Sequence, residues 1–288
     1  MNRYAVETSV LRVLRWLTIA FLLVITVFPF YYMVMLSFTP IDSLLQNPGR
    51  LLPEWSTVTT ETYTNVLAPV EGEGQGFAQL MRNSAVVSLV TVALTLVVAI
   101  PGAYAVSRLA FKGRRQVGAL FLSVYLFPSI VLAIPLVIAF AKLGLYQSLP
   151  GLMLVYVAQT VPVSIYMLRN YFETIPATIE EAATLDGANR FQTITKVVLP
   201  LAMPSIMSTG LYIFMIAWNE FLFALLFLAA KRDLWTVSLG LSQLSNGVEV
   251  PKTVLMAGSV LLTIPVIVLY GIAERWLTEG LTSGADKG

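Results

Sequence analysis

The stretch NSAVVSLVTVALTLVVAIPGAYAVS, residues 83–107, carries no charged side chain over its whole length. A helix that crosses the hydrocarbon core of a bilayer needs about 20 predominantly apolar residues, so this segment is long enough to span. Five further uncharged stretches meet the same requirement: Trp16–Leu36, Gln116–Ala141, Leu143–Leu168, Val197–Asn219 and Thr253–Ala273. The one ending at Asn219 resumes past Glu220 to about Ala230. The chain therefore reads as all-α, a polytopic membrane helix bundle of about six transmembrane helices.

Composition agrees. Of 288 residues, 57% are hydrophobic and 12% charged, and the mean hydropathy is +0.78. Soluble domains carry about 25% charged residues, so this chain has too few to cover a water-facing surface. A net charge of +2, without a basic block interleaved with aromatics, gives no sign of nucleic-acid binding. There is no Cys and no His, which removes disulfides, thiolate nucleophiles, Cys/His metal sites and imidazole acid–base chemistry. No spacing pairs a nucleophile with a base, and no GxxxxGK[ST] phosphate loop occurs. No catalytic, cofactor-binding or metal-ligating residue is assigned, and an enzyme is disfavoured.

The first apolar stretch is too long for a signal-peptide core, and Ser37-Phe38-Thr39-Pro40 is a poor cleavage site, so it reads as a retained helix. With the N-terminus in the cytoplasm, twelve of the 18 Lys and Arg fall on the inner side, and the short loop Arg108–Arg115 supplies four of them. Cytoplasmic loops carry the excess of positive charge, so both termini are placed inside. The segment from about Ser37 to Gln79, with Pro40, Pro48, Pro53, Pro69 and a Gly-rich end, reads as short irregular structure on the outer face. Pro29, Pro101, Pro128, Pro135, Pro162 and Pro265 lie within spans, where kinks are tolerated.

Between the fourth and fifth spans runs IPATIEEAATLDGANRFQTITKVVLPLAMP, residues 175–204, too polar to cross a membrane. Thr178 and Glu181 have capping-box spacing, which predicts a helix over about Ile179–Leu185. Gly187 permits the left-handed turn that ends it. Asn189 can cap a second helix with Phe191, Ile194 and Val198 on one face, and Pro200 is expected to stop it before the fifth span. The product is a small helix–turn–helix at the membrane surface. An Ala182-Ala183 patch allows close approach, rimmed by Glu180, Glu181, Asp186 and Arg190. It suits insertion into a groove on another protein, or packing on its own bundle.

EAATLDGA, residues 181–188, followed by Leu199-Pro200, resembles the EAA motif of ABC-importer permeases. Glu181, Ala182, Ala183 and Gly187 match its core, while Asp186 and Ala188 give the DGA typical of the sugar-uptake branch. Val197 stands where Ile is common. GAYAVSRLAFKGRR (102–115), FPSIVLAIPL (127–136) and WNEF (218–221) are similar to the same family, and the likeness covers roughly residues 83–288. The resemblance implies a type I importer permease whose EAA segment, here Glu180–Arg190, docks into a cytoplasmic ATPase. GLTSGADKG (280–288) resembles the tail of maltose-type permeases, which implies an ATPase contact at Gly280, Leu281, Thr282, Ser283 and Gly284. It also implies a second permease, two copies of the ATPase that hold ATP and Mg, an external solute-binding protein, a sugar substrate and a prokaryotic plasma membrane. The expected organisation is a helix with an external segment (1–79), a five-helix core with a coupling segment at 175–200 (80–276), and a cytoplasmic tail (277–288).

An ionisable residue inside a membrane helix costs about 2.5–3.5 kcal/mol on insertion scales and suggests function. Glu220 is such a residue, and Trp218 and Asn219 beside it complete the chemistry of a sugar site: an aromatic face with amide and carboxylate partners for hydroxyls. Successive helix positions diverge by about 100°, so only a broken helix turns all three to one pathway. The alternative is that Asn219 and Glu220 hold the bundle together. Gln159 and Tyr104 are weaker candidates. An ABC permease for a non-sugar solute, or an ion-coupled secondary transporter, remains an alternative function.

Overall fold

The fold is seen in a computed structural model that describes residues 3–246 and 251–285, with side chains except at 3–6, 9, 122, 125, 246 and 275–285. Among the described residues all regular structure is helical. The chain divides into two compact units, Met1–Ala78 with Gln243–Thr263, and Gln79–Ser242 with Ile264–Gly288.

The first unit begins with α1, Arg3–Ser37, which runs through Pro29 without a break. Its end is tied down: Ser37 Oγ donates to Val34 O (2.6 Å) and lies 2.8 Å from the Tyr63 hydroxyl. The following segment holds α2 (Ile41–Gln46) and α3 (Glu61–Leu67), and Thr59 N–H donates to Phe38 O at 3.0 Å. The Gly-rich run closes it. A Cβ at Gly74 would collide with the Ala68 backbone, while Gly76 takes φ +72 and donates its N–H to Ala68 O.

The second unit holds all but the first two residues of α4 (Phe77–Arg108), with α5 (Arg114–Leu126), α6 (Ser129–Lys142) and α7 (Leu149–Thr174). After them come α8 (Ala177–Leu185), α9 (Arg190–Thr193), a π-helical turn (Ile194–Val198), α10 (Leu199–Leu201) and α11 (Met203–Asn219). It ends with α12 (Leu222–Leu228) and most of α13 (Val237–Asn246); α14 (Lys252–Ala285) crosses from the first unit into the second.

Small and hydroxyl side chains let the helices approach, as in other membrane interfaces. Thr95 on α4 and Thr160 on α7 share a hydrogen bond of 2.9 Å. Gly102 on α4 faces Ile165 on α7, and Gly210 on α11 faces Val92 and Leu96 on α4. Both ends of α4 are held by side-chain hydrogen bonds, one to distant backbone and one from the helix that follows. Asn83 donates to Asp233 O (2.8 Å) and Trp235 O (3.0 Å). Arg114 donates from Nε to Val106 O (2.5 Å) and from Nη2 to Ser107 O (2.7 Å), placing a cation where the helix dipole is negative.

All six apolar stretches fall on helices, but fewer than six are single spanning helices. Among the described residues four are long and apolar enough: Val10–Ser37, Phe77–Arg108, Leu149–Thr174 and Lys252–Glu274. A fifth arises if Arg190–Leu201 and Met203–Asn219, bent by 77°, count as one span. The third expected span is divided into α5 and α6 at Phe127-Pro128, both in extended conformation. Pro128 has no N–H to continue the ladder and disfavours helix in the residue before it. Pro101, Pro135, Pro162 and Pro265 lie inside continuous helices. The fourth expected span starts at Leu149 instead of Leu143, because Ser148 caps it by accepting from Gly151 N–H at 3.1 Å.

Candidate coupling and pathway sites

The segment between α7 and α11 forms the expected helical corner, with three corrections. Helix α8 begins at Ala177 with Pro176 as its N-cap, and no side chain caps it. Thr178 therefore sits in the first turn and the Thr178–Glu181 capping box is absent. The box forms at α9 instead: Asn189 Oδ1 accepts from Gln192 N–H (3.0 Å), and Gln192 Oε1 accepts from Asn189 N–H (2.9 Å). Pro200 does not stop the chain. It lies in the first turn of α10, where a missing N–H is tolerated, and the bend falls at Ala202 before Met203-Pro204.

Gly187 ends α8 with φ +85, and the Gly187 and Ala188 amides return to Thr184 O and Ala183 O at 3.0 Å. The left-handed turn drives the chain from α8 straight into α9. This geometry projects Leu185, 88% exposed, and Phe191, 74% exposed, at the tip of the corner. The expected shared face of Phe191, Ile194 and Val198 is divided, since Val198 is buried, Ile194 half-buried and Phe191 exposed. Glu181, Ala182, Asp186, Gly187 and Arg190 are exposed, whereas Ala183 and Ala188 are half-buried.

Glu180 turns the other way, onto its own bundle. Its Oε1 accepts from Arg108 Nε at 2.6 Å and its Oε2 from the Tyr104 hydroxyl at 2.8 Å. Arg108 Nη2 donates also to Ile175 O, at 2.6 Å. One guanidinium thus joins the end of α4 to both the carboxylate and the backbone entering α8. Beside this clamp opens a hollow of about 860 Å³, walled by Tyr104, Arg108, Glu181, Leu185, Arg190 and Thr193 among others. Tyr104 and Arg108 belong to this site as positioning residues. The sequence signal for them is the GAYAVSR run, but nothing in it names their partner.

The trio Trp218, Asn219 and Glu220 lies where the fifth span breaks. Glu220 ends α11 in an extended conformation, and α12 restarts two residues later. Its carboxylate accepts from Phe223 N–H (3.0 Å to each oxygen) and Ala224 N–H (3.2 Å), filling the open first turn of α12. The Tyr156 hydroxyl on α7 donates to it at 2.7 Å, and Ser238 Oγ donates to its carbonyl at 2.6 Å. Trp218 is buried and stacks on Phe214 with centroids 5.3 Å apart. Asn219 is exposed, with Nδ2 donating to Met215 O at 2.9 Å. The break is present, yet the three side chains still diverge, and Asn219 alone of them is exposed. The Gln159 amide nitrogen is buried without a partner in the described residues. Gly280, Leu281, Thr282, Ser283 and Gly284 continue the α14 backbone; their side chains lie outside the described set.

Residues 99–282, which hold both the corner and the α11–α12 break, match the family model of the binding-protein-dependent transport system inner membrane component. The chain belongs to that family. As a transport permease it is a multi-pass membrane protein and not an enzyme. The permease is similar, at 40% identity over 94% of each chain, to the inner membrane ABC transporter permease protein YcjP of Escherichia coli. It is 37% identical to the trehalose/maltose transport system permease protein MalG of Thermococcus litoralis, over 92% of this chain and 93% of that one. Its fold matches a chain of a bacterial ABC transporter that imports the acidic polysaccharide alginate, with a TM-score of 0.79 and 25% identity over 96% and 98% of the two chains.

Proposed function

We propose that this permease forms half of the pathway of an ATP-driven carbohydrate importer. The reading of the permease as the ATPase-coupled half rests on the projecting corner: Leu185 and Phe191 are apolar, held on a capped turn, and largely uncovered among the described residues. An apolar tip on a short helix suits insertion into a groove of a partner. The sugar class rests on similarity to a trehalose/maltose permease and to a polysaccharide importer.

In this reading both termini lie in the cytoplasm, a second permease completes the pathway, and two ATPase copies with ATP and Mg bind below. An external binding protein delivers the sugar. Glu181, Ala182, Ala183, Asp186, Gly187, Ala188 and Arg190 carry the ATPase contact, with Glu180 anchoring the corner from behind. Gly280–Gly284 add a second contact from the tail. Asn219 is the pathway-facing member of the trio, with Trp218 and Glu220 framing it. Coupling requires contacts that differ between the two states of the cycle, and the corner is where ATPase motion enters the bundle.

Purification from native membranes in mild detergent, with mass spectrometry and sugar-uptake assays, tests this. An ATPase, a second permease and a binding protein that takes up a sugar are expected. A stable assembly containing only this chain would overturn the importer reading; a companion binding protein that holds an amino acid or phosphate would overturn the sugar.

A further inference from the structure

The segment after α1 does not simply leave the helix end. It turns at Pro40, and the Tyr31 hydroxyl donates to Leu51 O at 2.9 Å. Tyr31 lies about 9 Å along the helix from Ser37, at 1.5 Å per residue. The chain then returns to the helix end, where Thr59 N–H meets Phe38 O. Residues 40–59 therefore make a loop that dips back along α1.

The dipping part is apolar and uncovered. Leu52 is 73% exposed and Trp55 84%, and Leu45 and Leu51 are exposed with them. The neighbouring α1 surface, with Phe28, Phe30 and Val34 exposed, is apolar as well. The two charges of the turn cancel, since Arg50 Nη1 contacts Glu54 Oε2 at 2.5 Å. A neutral, apolar turn running beside a spanning helix, with a Trp at its tip, matches the chemistry of the bilayer interface, where Trp is enriched.

We infer that the Leu51–Trp55 turn is a lipid-seated anchor: Leu51, Leu52 and Trp55 enter the headgroup–acyl boundary of the leaflet at the Ser37 end of α1. The turn fixes the depth of α1, whose candidate span Val10–Ser37, 28 residues long, exceeds the about 20 that a bilayer core requires. The inference rests on the membrane placement of α1 and not on the identity of the solute.

The natural chain has no Cys, so Leu52→Cys supplies a single thiol for a nitroxide label. The full transporter, purified and reconstituted in phosphatidylethanolamine/phosphatidylglycerol vesicles, is compared with Leu23→Cys on α1 and Glu71→Cys in the turn after α3. Oxygen should collide with the Leu52 label more often than a water-soluble nickel chelate does, as at Leu23 and opposite to Glu71. Preference for nickel would overturn the anchor and leave the turn in water, open to the solute-binding protein. Low collision with both reagents would also overturn it, showing a partner subunit on the turn. If Leu52→Cys fails to assemble, Trp55→Cys is read in the same way.

Discussion

Arg108 Nε lies 2.6 Å from Glu180 Oε1, joining the last residue of α4 to the α8 carboxylate across 72 positions of sequence. Both side chains are mostly buried, at 16% and 15% exposure, so the pair is shielded from the solvent that weakens surface ion pairs. The same guanidinium holds Ile175 O. It therefore ties the backbone entering α8 and the α8 carboxylate to the end of α4.

Replacing Arg108 with Ala removes two charge-assisted hydrogen bonds, each worth about 1.5–3 kcal/mol, and leaves Glu180 with the Tyr104 hydroxyl. The expected outcome is an assembled transporter whose ATP hydrolysis is poorly coupled to uptake. Arg108→Lys should restore little, because an ammonium lacks the fork that reaches both acceptors. Uptake per ATP hydrolysed, measured in vesicles, checks this; a normal ratio in the Ala variant would refute it.

At Gly187 an added Cβ would meet no atom within 4 Å, so within the chain it is backbone strain at φ +85 that opposes substitution. Asn visits that region and Val does not, the left-handed conformation costing roughly 1–2 kcal/mol per ordinary residue. Gly187→Asn should keep uptake near normal, whereas Gly187→Val should lose most of it. Equal transport by the two variants would show that the turn geometry is not what matters.

Leu185→Asp and Phe191→Asp place a charge at the tip without touching the bundle. Thermal unfolding in detergent should be unchanged, while co-purification of the ATPase falls sharply. A variant that unfolds earlier, or one that retains the ATPase, would contradict the assignment of these two side chains to docking.

Glu220 fills the first turn of α12, so Glu220→Ala should lower stability by about 0.5–2 kcal/mol, as loss of a helix-capping acceptor does. Tyr156→Phe deletes one bond to the same carboxylate and should cost about 1.5–3 kcal/mol, the range for a hydrogen bond to a charged group. Thermal denaturation reads both. The half-saturating sugar concentration should stay constant in Tyr156→Phe; a large shift would place Glu220 in sugar contact.

What the sequence disclosed was local or periodic. The uncharged stretches marked every long helix, Gly187 announced its left-handed turn, and Asn189 its cap. The Thr178–Glu181 spacing misled because Pro176 presets the backbone of the preceding residue and starts α8 earlier. The six prolines looked alike in sequence; only Pro128 falls where the helix is broken, while Pro101 and Pro162 are carried by helices packed on neighbours. Glu220 was visible as an oddity in an apolar span, but its partners are a hydroxyl 64 positions away and the amides of a helix that exists only because the span breaks there. Long-range pairs such as Arg108–Glu180 leave no spacing to read.

The π-helical turn at Ile194–Val198 holds one residue more than an α-turn would across the same arc. Rewinding it to α-geometry with all five residues kept would leave that extra residue unabsorbed and swing the whole α8–α9 corner by about 100° around the axis. Where Leu185 and Phe191 aim is thus set by how this turn is wound as much as by residue identity. Rewinding between Ile194 and Val198 would leave every docking side chain on the corner and point them in the wrong direction.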